Sequence, residues 1–284
     1  MKQKVLITGA GGYIGRHVVK AFLDEGFQVV ASDINKKGID ERAEFCDELI
    51  FDEQADIFER LGKPDFLVHL AWRDGFIHNS PAHMRDLSSH VVFLQNMIDG
   101  GLKSLSVMGS MHEVGYWEGA IDEHTPCAPL SQYGIAKNAL RQSLLLYAKD
   151  KETAVHWLRA YYIYGDDLRG SSIFAKISQA AEDGKKTFPF TTGKNKYDFI
   201  HVKELAKQIL YATTQDEEVG IINICTGKPV SLADQVEDYI KSHGFDIRLE
   251  YGAYPDRPYD SPEIWGDPTR IQKIMGERFY AIRP

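Results

Sequence analysis

Short apolar runs alternate with longer segments of helical spacing along the first part of the chain. Residues 4–8 (KVLIT) form a continuous, β-branched apolar run, as expected for a parallel strand buried on both faces. Residues 13–26 then place apolar side chains three or four positions apart, which predicts a helix with Gly26 as its C-terminal cap. Residues 28–33 (QVVASD) return to the strand pattern. Together these segments predict one β-α-β unit.

The same alternation continues beyond this unit. Residues 65–71, 105–110 and 154–165 have the pattern of strands, and residues 87–101 and 131–150 have the pattern of helices. Strands that alternate with helices favour an α/β fold: a Rossmann-type doubly wound parallel sheet. In such a sheet, ligands bind at the carboxyl ends of the strands.

Three glycines, Gly9, Gly12 and Gly15, lie between the first predicted strand and its helix. Glycines there permit a tight turn, a close approach of the backbone to a pyrophosphate, and packing of the helix on the sheet. The helix N-terminus adds free N–H groups and a positive dipole end. Asp33 ends the second strand, where its carboxylate can accept hydrogen bonds from ribose hydroxyls and would repel a 2′-phosphate. The order of these features predicts NAD(H) binding rather than an unrelated glycine-rich turn.

Two tyrosine–lysine pairs share a spacing of four residues, Tyr133 with Lys137 and Tyr147 with Lys151. In a chain of this composition the spacing alone is expected roughly once by chance. Ser131 is a good N-cap, so Tyr133 is expected in the first helical turn, near the ligand edge of the sheet. Tyr147 lies about four turns further along, roughly 20 Å away, among leucines. We therefore predict that Tyr133 is a catalytic residue and that Tyr147 packs.

A phenol one turn from an ammonium group is suited to proton transfer. The pKa of free tyrosine is about 10, and the charges of Lys137 and of a bound oxidised nicotinamide would both lower it. Tyr133 could then exchange a proton with a carbinol oxygen while hydride moves at the adjoining carbon.

Composition excludes several other classes of function. The 284 residues are 43% hydrophobic and carry a formal net charge of −8 without a dense basic stretch, which argues against nucleic-acid or anionic-membrane partners. No apolar run is long enough to span a bilayer. The N-terminus enters a strand pattern directly, without the pattern of a signal peptide. Three scattered cysteines fit neither disulfides nor a metal site, so we expect reduced thiols in the cytoplasm and no metal.

Motifs along essentially the whole chain resemble the extended short-chain dehydrogenases/reductases, and among them the NAD-dependent epimerase/dehydratase family that acts on nucleotide sugars. The resembling segments are TGAGGYIG (8–15), VHLAW (68–72), SQYGIAK (131–137), DFIHVKELA (198–206), INICTGKPVSL (222–232) and RPYDSPEIWGDPTRIQKIMG (257–276).

The resemblance implies a division of the chain and a set of roles. Residues 1–165 and 199–226 would form the dinucleotide-binding domain, and residues 166–198 and 227–284 a smaller, largely C-terminal domain for the sugar nucleotide. Tyr133 would be the acid/base and Lys137 would bind the nicotinamide ribose. The helices 87–101 and 131–150 would pair with those of a second copy in a homodimer.

The resemblance also implies contacts to both ligands. Arg257 would contact the substrate diphosphate. The expected cofactor contacts are Gly9, Gly12, Tyr13, Ile14, Gly15, Asp33, Asp52, Leu70, Ala71, Trp72 and Lys137.

Departures from the family pattern lie around the expected substrate. Met111 stands where the family usually has serine or threonine, and Ser110 precedes it, so we expect the Ser110 hydroxyl to bind the substrate carbonyl. His112 and Glu113 occupy the positions of the Asp-Glu pair of the dehydratases. Tyr162 replaces a common asparagine. We expect these three residues to contact the substrate.

The incomplete dehydratase pair and the compact substrate portion favour a 4-ketoreductase that acts on a 4-keto-6-deoxy sugar nucleotide. An epimerase and a dehydratase are the alternatives within the family. A dinucleotide-binding sensor without turnover is the alternative of another class, although it would not need the Tyr133–Lys137 pair. The nucleotide base and the sugar stay open.

Overall fold

The computed structural model describes residues 2–165, 172–256 and 260–281. The strands, in chain order, are β1 (Lys4–Thr8), β2 (Gln28–Ser32), β3 (Glu44–Cys46), β4 (Phe66–His69), β5 (Ser104–Ser110), β6 (Gly119–Ile121), β7 (Ala154–Ala160), β8 (Tyr162–Tyr164), β9 (Thr187–Pro189), β10 (Lys196–His201), β11 (Gly220–Ile224), β12 (Pro229–Ser231), β13 (Arg248–Glu250) and β14 (Glu263–Gly266). The helices are α1 (Tyr13–Asp24), α2 (Ile57–Arg60), α3 (Ala82–Arg85), α4 (Leu87–Asp99), α5 (Gln132–Tyr147), α6 (Ile173–Glu182), α7 (Val202–Thr213), α8 (Leu232–Ser242), α9 (Thr269–Met275) and α10 (Arg278–Ala281).

Seven parallel strands form the main sheet, in the order β3-β2-β1-β4-β5-β7-β11. Helices cover both faces: α1 packs against α7 on one, and α4 packs against α2 and α5 on the other. Successive residues of β1 point to opposite faces of the sheet. Leu6 packs with the α4 side chains on one face, and Val5 and Ile7 pack with those of α1 on the other. The predicted doubly wound Rossmann-type sheet is confirmed.

Local signals fix the ends of several elements. Gly26 follows α1 with φ +85°, the left-handed conformation that glycine adopts without strain, as predicted for a C-terminal cap. The Ser131 side chain accepts a hydrogen bond from the Gly134 N–H and caps α5, also as predicted.

Residues 154–165 form two strands, where the sequence predicts one. β7 lies between β5 and β11, and Ala160 is the last residue paired with either neighbour. Beyond it the backbone has no partner left in the main sheet, so β8 turns away and pairs with β10.

The second sheet has the order β12-β10-β14-β6, with β8 also paired to β10, and β9 and β13 form a separate pair. Strands β6 and β8 of this second sheet come from the part of the chain before residue 166. The domain boundaries given above stay a prediction. Asp198 of β10 ties the surrounding loops together, because its buried carboxylate accepts hydrogen bonds from the Thr226 hydroxyl and from the backbone N–H groups of Thr226, Gly227 and Gly266.

Among the described helices, none combines the length and the apolar composition that a bilayer crossing requires. In the same residues, no group of three or more His, Cys, Asp or Glu side chains is arranged to hold a metal ion.

Candidate active site

The glycine turn after β1 is a crowded backbone crossing. Gly9 has φ +66°, and a Cβ there would lie 2.8 Å from the Ala71 nitrogen. A Cβ on Gly15 would lie 2.1 Å from the Gly9 carbonyl oxygen, so both positions require glycine. Gly12 is the N-cap of α1 and provides no side chain to cap the helix. The N-cap residue therefore leaves the start of α1 open to a ligand, and a helix N-terminus of this kind fits a diphosphate.

Two neighbouring strand ends complete this region. Asp33, just after β2, accepts hydrogen bonds from the N–H groups of Gly11 (2.9 Å) and Ile34 (2.7 Å), which fix its carboxylate against the glycine turn. Leu70 and Ala71, just after β4, are held to β1 by bonds to the Thr8 carbonyl and hydroxyl oxygens. The residues present therefore fit the dinucleotide that the sequence predicts.

Asp52 lies after β3 in an ion pair. Its carboxylate accepts a bond from Arg60 at 2.6 Å and another from the Gln54 N–H at 3.1 Å. The expected contact of Asp52 with adenine stays a prediction.

Tyr133, Ser110 and Lys137 meet at the carboxyl end of β5. The Tyr133 N–H donates to the His78 carbonyl at 2.9 Å, which fixes the first turn of α5 against residues 74–80. The Ser110 side chain lies near the Tyr133 hydroxyl and favours its ionised form. Lys137, one turn along α5, is buried and donates to the Met108 carbonyl at 2.8 Å. The structure thus brings together the three residues that the sequence singles out for catalysis.

Burial dominates the proton affinities of this trio. It lowers the pKa of Lys137 to about 7 and raises the pKa of Tyr133 to about 12, although the nearby Ser110 side chain opposes the second change. The expected net lowering of the Tyr133 pKa is therefore not found in the protein alone, because burial outweighs it. The ammonium nitrogen is 5.9 Å from the centre of the Tyr133 ring and is engaged with Met108 instead.

Aromatic rings and imidazoles surround Tyr133. His78 stacks on it with ring centres 5.6 Å apart, and Trp72, His83 and His112 approach at 5.3–6.1 Å. Sequence reasoning missed His78 and His83, because neither lies in a periodic segment or at a family motif position.

Glu113 does not lie where a substrate could touch it, contrary to the expectation from its motif position. It is 0% exposed. Its carboxylate accepts hydrogen bonds from the Ser110 N–H at 2.6 Å and from the Trp157 indole at 2.9 Å. Arg141 and Arg159 lie 3.5 and 3.8 Å away. Burial raises the pKa of this carboxyl group. Glu113 holds the turn that carries Ser110, with Ser110 as the N-cap of the short 3-10 helix Met111–Glu113.

Comparison with known proteins identifies the architecture. The model of the NAD dependent epimerase/dehydratase family matches residues 5–225. The chain belongs to this family. It is 41% identical to the dTDP-6-deoxy-L-talose 4-dehydrogenase (NAD(+)) of Aggregatibacter actinomycetemcomitans, over 92% of this chain and 98% of that protein. The UDP-arabinose 4-epimerase 1 of Arabidopsis thaliana is 26% identical, over 95% of this chain and 74% of that protein.

Solved structures share the fold. The UDP-glucose 4-epimerase of Thermotoga maritima, solved with UDP-glucose, superposes with a TM-score of 0.81 at 24% identity, over 95% of this chain and 92% of that one. The UDP-glucose 4-epimerase of Thermus thermophilus, in complex with NAD, also gives 0.81, at 20% identity, over 99% and 94%. Family membership confirms the prediction that the protein is an enzyme with NAD as its cofactor.

The other residues predicted to contact the substrate are His112, Tyr162 and Arg257, and their surroundings differ from those of Glu113. His112 is half-buried, and burial together with the nearby His78 lowers its pKa to about 4, so its imidazole is neutral near neutral pH. Tyr162 of β8 stacks on Tyr197 with ring centres 4.1 Å apart. Arg257 lies outside the described residues. The substrate contacts of all three stay predictions.

Two buried imidazoles, those of His69 and His90, lie near Lys137. Thr8 Oγ1 is 2.8 Å from His69 Nδ1, and His69 Nε2 is 2.9 Å from His90 Nδ1. His90 borders a cavity of about 180 Å³. The cavity is lined by Phe51, Trp72, Arg73, Asp86, Ser89 and His90.

Tyr147 has none of these surroundings. Its hydroxyl donates to Asp99 at 2.6 Å, and Lys151 binds the same carboxylate at 2.8 Å. The second tyrosine–lysine pair is therefore a surface ion-pair network between the ends of α4 and α5.

Proposed function

We propose that the protein is an NAD(H)-dependent 4-ketoreductase that interconverts the C4 carbonyl and the C4 hydroxyl of a 6-deoxyhexose carried on dTDP. The observation that carries the proposal is the meeting of Tyr133, Ser110 and Lys137 at one strand end while Glu113 is sealed behind them. The relative of 41% identity, named for a 4-dehydrogenase of such a sugar nucleotide, supports the choice of dTDP and of C4.

Reduction assigns a role to each of the three side chains. The hydroxyl groups of Tyr133 and Ser110 bind the C4 carbonyl oxygen. When NADH is bound, its nicotinamide supplies the hydride to C4. Tyr133 passes its proton to the oxygen as the C–H bond forms, so the carbonyl becomes a carbinol and Tyr133 becomes a phenolate. The Ser110 hydroxyl and the Lys137 ammonium group stabilise that phenolate.

The raised pKa of Tyr133 suits this direction. With a pKa of about 12 the phenol keeps its proton near neutral pH, as a proton donor must. The reverse oxidation requires the phenolate first, which a positively charged nicotinamide would favour.

The cofactor contacts follow the turn and the strand ends. Gly9, Gly12 and Gly15 would admit the diphosphate at the start of α1, and Asp33 would bind the adenine ribose. Leu70, Ala71 and Trp72 would line the path to Lys137, which would bind the nicotinamide ribose. Asp52 would reach the adenine.

The burial of Glu113 disfavours the dehydratase alternative. A dehydratase needs an acid and a base beside the sugar, and a carboxylate with 0% exposure that is bound by Trp157 and two arginines cannot supply either. His112 is left as a substrate contact, together with Tyr162 and Arg257. The 4-epimerase relatives make epimerisation the second candidate.

We also propose a homodimer and a cytoplasmic location. Ile135 and Leu146 of α5 lie eleven residues apart, near three turns, and are 39% and 76% exposed. This apolar face would pack on a second copy together with α4. The three free cysteines fit a reducing compartment. Light scattering at micromolar concentration tests the dimer, and a monomer would contradict it.

Assays with dTDP-4-keto-6-deoxyhexoses and NADH test the reaction, with NADH absorbance as the readout and NMR of the sugar product. A ketoreductase consumes one NADH for each carbonyl reduced. An epimerase converts one dTDP-sugar into its C4 epimer without net NADH consumption, and a dehydratase forms a 4-keto-6-deoxy product from a dTDP-hexose. NADH binding without any of these conversions would indicate a sensor.

A further inference from the structure

The Trp72 side chain is held on three sides. Its indole N–H donates to His83 Nδ1 at 3.1 Å, and its ring stacks on His90 with ring centres 4.5 Å apart and planes 23° from parallel. The Lys137 ammonium nitrogen lies 3.7 Å from the centre of the Trp72 ring. This is a close cation–π geometry, since such contacts extend to about 6 Å.

We propose that Trp72 is a positioning residue, whose ring holds the Lys137 ammonium group in place and in its charged form. This role of the Trp72 side chain is separate from its expected place beside the cofactor. Its catalytic consequence rests on the proposed function, whereas the contact itself does not.

A buried ammonium group needs favourable partners. Lys137 is 3% exposed and has three N–H donors, of which one is directed at the Met108 carbonyl. The negative face of an indole ring stabilises a cation, and the effect grows when water is excluded. The ring therefore opposes the burial that lowers the pKa of Lys137 to about 7.

Other charged or titratable groups also surround Lys137. Among the described residues they are Tyr133 on α5, Glu113 on the 3-10 turn, His69 at the end of β4 and His90 on α4. Glu113 favours the charged lysine. The two imidazoles are neutral, because burial and Lys137 lower the pKa of each. Of the two rings near the ammonium nitrogen, Trp72 is the closer, at 3.7 Å against 5.9 Å for Tyr133.

The hydrogen bond from Trp72 also fixes a tautomer. Because His83 Nδ1 accepts the indole N–H, the ring hydrogen of a neutral His83 is on Nε2, which lies 3.0 Å from the Ile77 carbonyl oxygen. Ile77 precedes His78, whose ring stacks on Tyr133. Trp72 is thus linked to Lys137 directly and to Tyr133 through His83 and the 74–80 segment.

An isosteric change of the ring tests the contact without opening a cavity. The protein is produced with fluorinated tryptophan in place of its four tryptophans, since fluorine weakens the negative face of the ring while preserving its shape. Lysine reactivity toward acetic anhydride is then measured as a function of pH, with mass spectrometry of the peptide that carries Lys137. Lys151, 5.0 Å from the Tyr147 ring, serves as the control lysine in the same digest.

Fluorination should move the midpoint of the Lys137 labelling curve to lower pH, by up to about one pH unit for trifluorotryptophan. The Lys151 curve should stay in place. A Lys137 curve that is unchanged, or that moves to higher pH, would overturn the proposal. The outcome does not depend on any substrate, so it is decided even if the proposed ketoreductase activity is absent.

Turnover gives the second readout. Trp72→Leu should lower kcat about threefold to thirtyfold, the rate equivalent of one buried cation–π contact. Trp72→Phe keeps an aromatic face and should recover most of that loss, although it lacks the bond to His83. Recovery by phenylalanine separates a π contact from simple space filling. A leucine variant with wild-type kcat, or a phenylalanine variant as slow as leucine, would contradict the assigned role.

Discussion

Replacing Glu113 by glutamine removes a charge that the fold buries completely while keeping the size of the side chain. The carboxylate faces Arg159, which is 0% exposed, and Arg141, which is largely buried. Removing one partner of a buried ion pair costs about 3–5 kcal/mol. The glutamine amide oxygen can still accept bonds from Ser110 and Trp157, so we expect the lower end, about 3 kcal/mol. Against a total stability of about 5–15 kcal/mol, this is a large fraction.

Urea unfolding measures the effect as a lower transition midpoint with an unchanged slope. The exposed Glu118→Gln is the matched control and should change stability by less than about 0.5 kcal/mol. Turnover of the folded Glu113→Gln enzyme should stay within about tenfold of wild type, because the Ser110 N–H keeps an acceptor. A variant as stable as wild type but without activity would refute this reasoning, since Glu113 would then act in the chemistry and the ketoreductase assignment would fall.

Other predictions concern the trio, the cofactor and acid stability. Tyr133→Phe should lower turnover by about 10² to 10⁴ while NADH binding persists. The turnover of Tyr147→Phe should stay within a few-fold of wild type. Full activity of Tyr133→Phe would contradict the mechanism. Ser110→Ala should cost about 10-fold to 10³-fold in kcat. Asp33 should make NADH bind at least about tenfold tighter than NADPH, which calorimetry can measure. Burial lowers the pKa of His156 to about 4, so the folded protein loses stability as pH falls from the ordinary histidine pKa toward 4. His156→Leu removes this loss, so its free energy of unfolding relative to wild type should rise by about 2 kcal/mol between neutral pH and about pH 5. Equal pH profiles of the two proteins in urea unfolding would contradict this.

The features that sequence predicted well depend on short-range physics. The turn at Gly9 and Gly15 is recognisable because backbone crowding there admits only glycine. The cap residue Ser131 likewise predicts that α5 begins beside Tyr133, and the structure places Tyr133 in the first turn of that helix. Each of these signals is contained within a few residues.

The features that sequence did not predict depend on contacts made across the fold. Glu113 is buried against Trp157 and Arg159, which belong to β7, more than forty residues later in the chain. Its motif position alone therefore predicted a substrate contact that the structure does not allow. The break in 154–165 reflects where β5 and β11 end, which no pattern within the segment reveals. The raised pKa of Tyr133 likewise follows from burial, since the pair spacing shows only that Lys137 is near.

Burial shifts the pKa values of Tyr133 and Lys137 in opposite directions. It favours the neutral form of both: the protonated phenol, with a pKa of about 12, and the uncharged amine, with a pKa of about 7. Near neutral pH the trio therefore begins with its proton on Tyr133, the form that reduction needs. Once that proton has left, the phenolate and a charged Lys137 stabilise each other. The ring of Trp72, by favouring that charge before the reaction, prepares the site for the state that follows proton transfer.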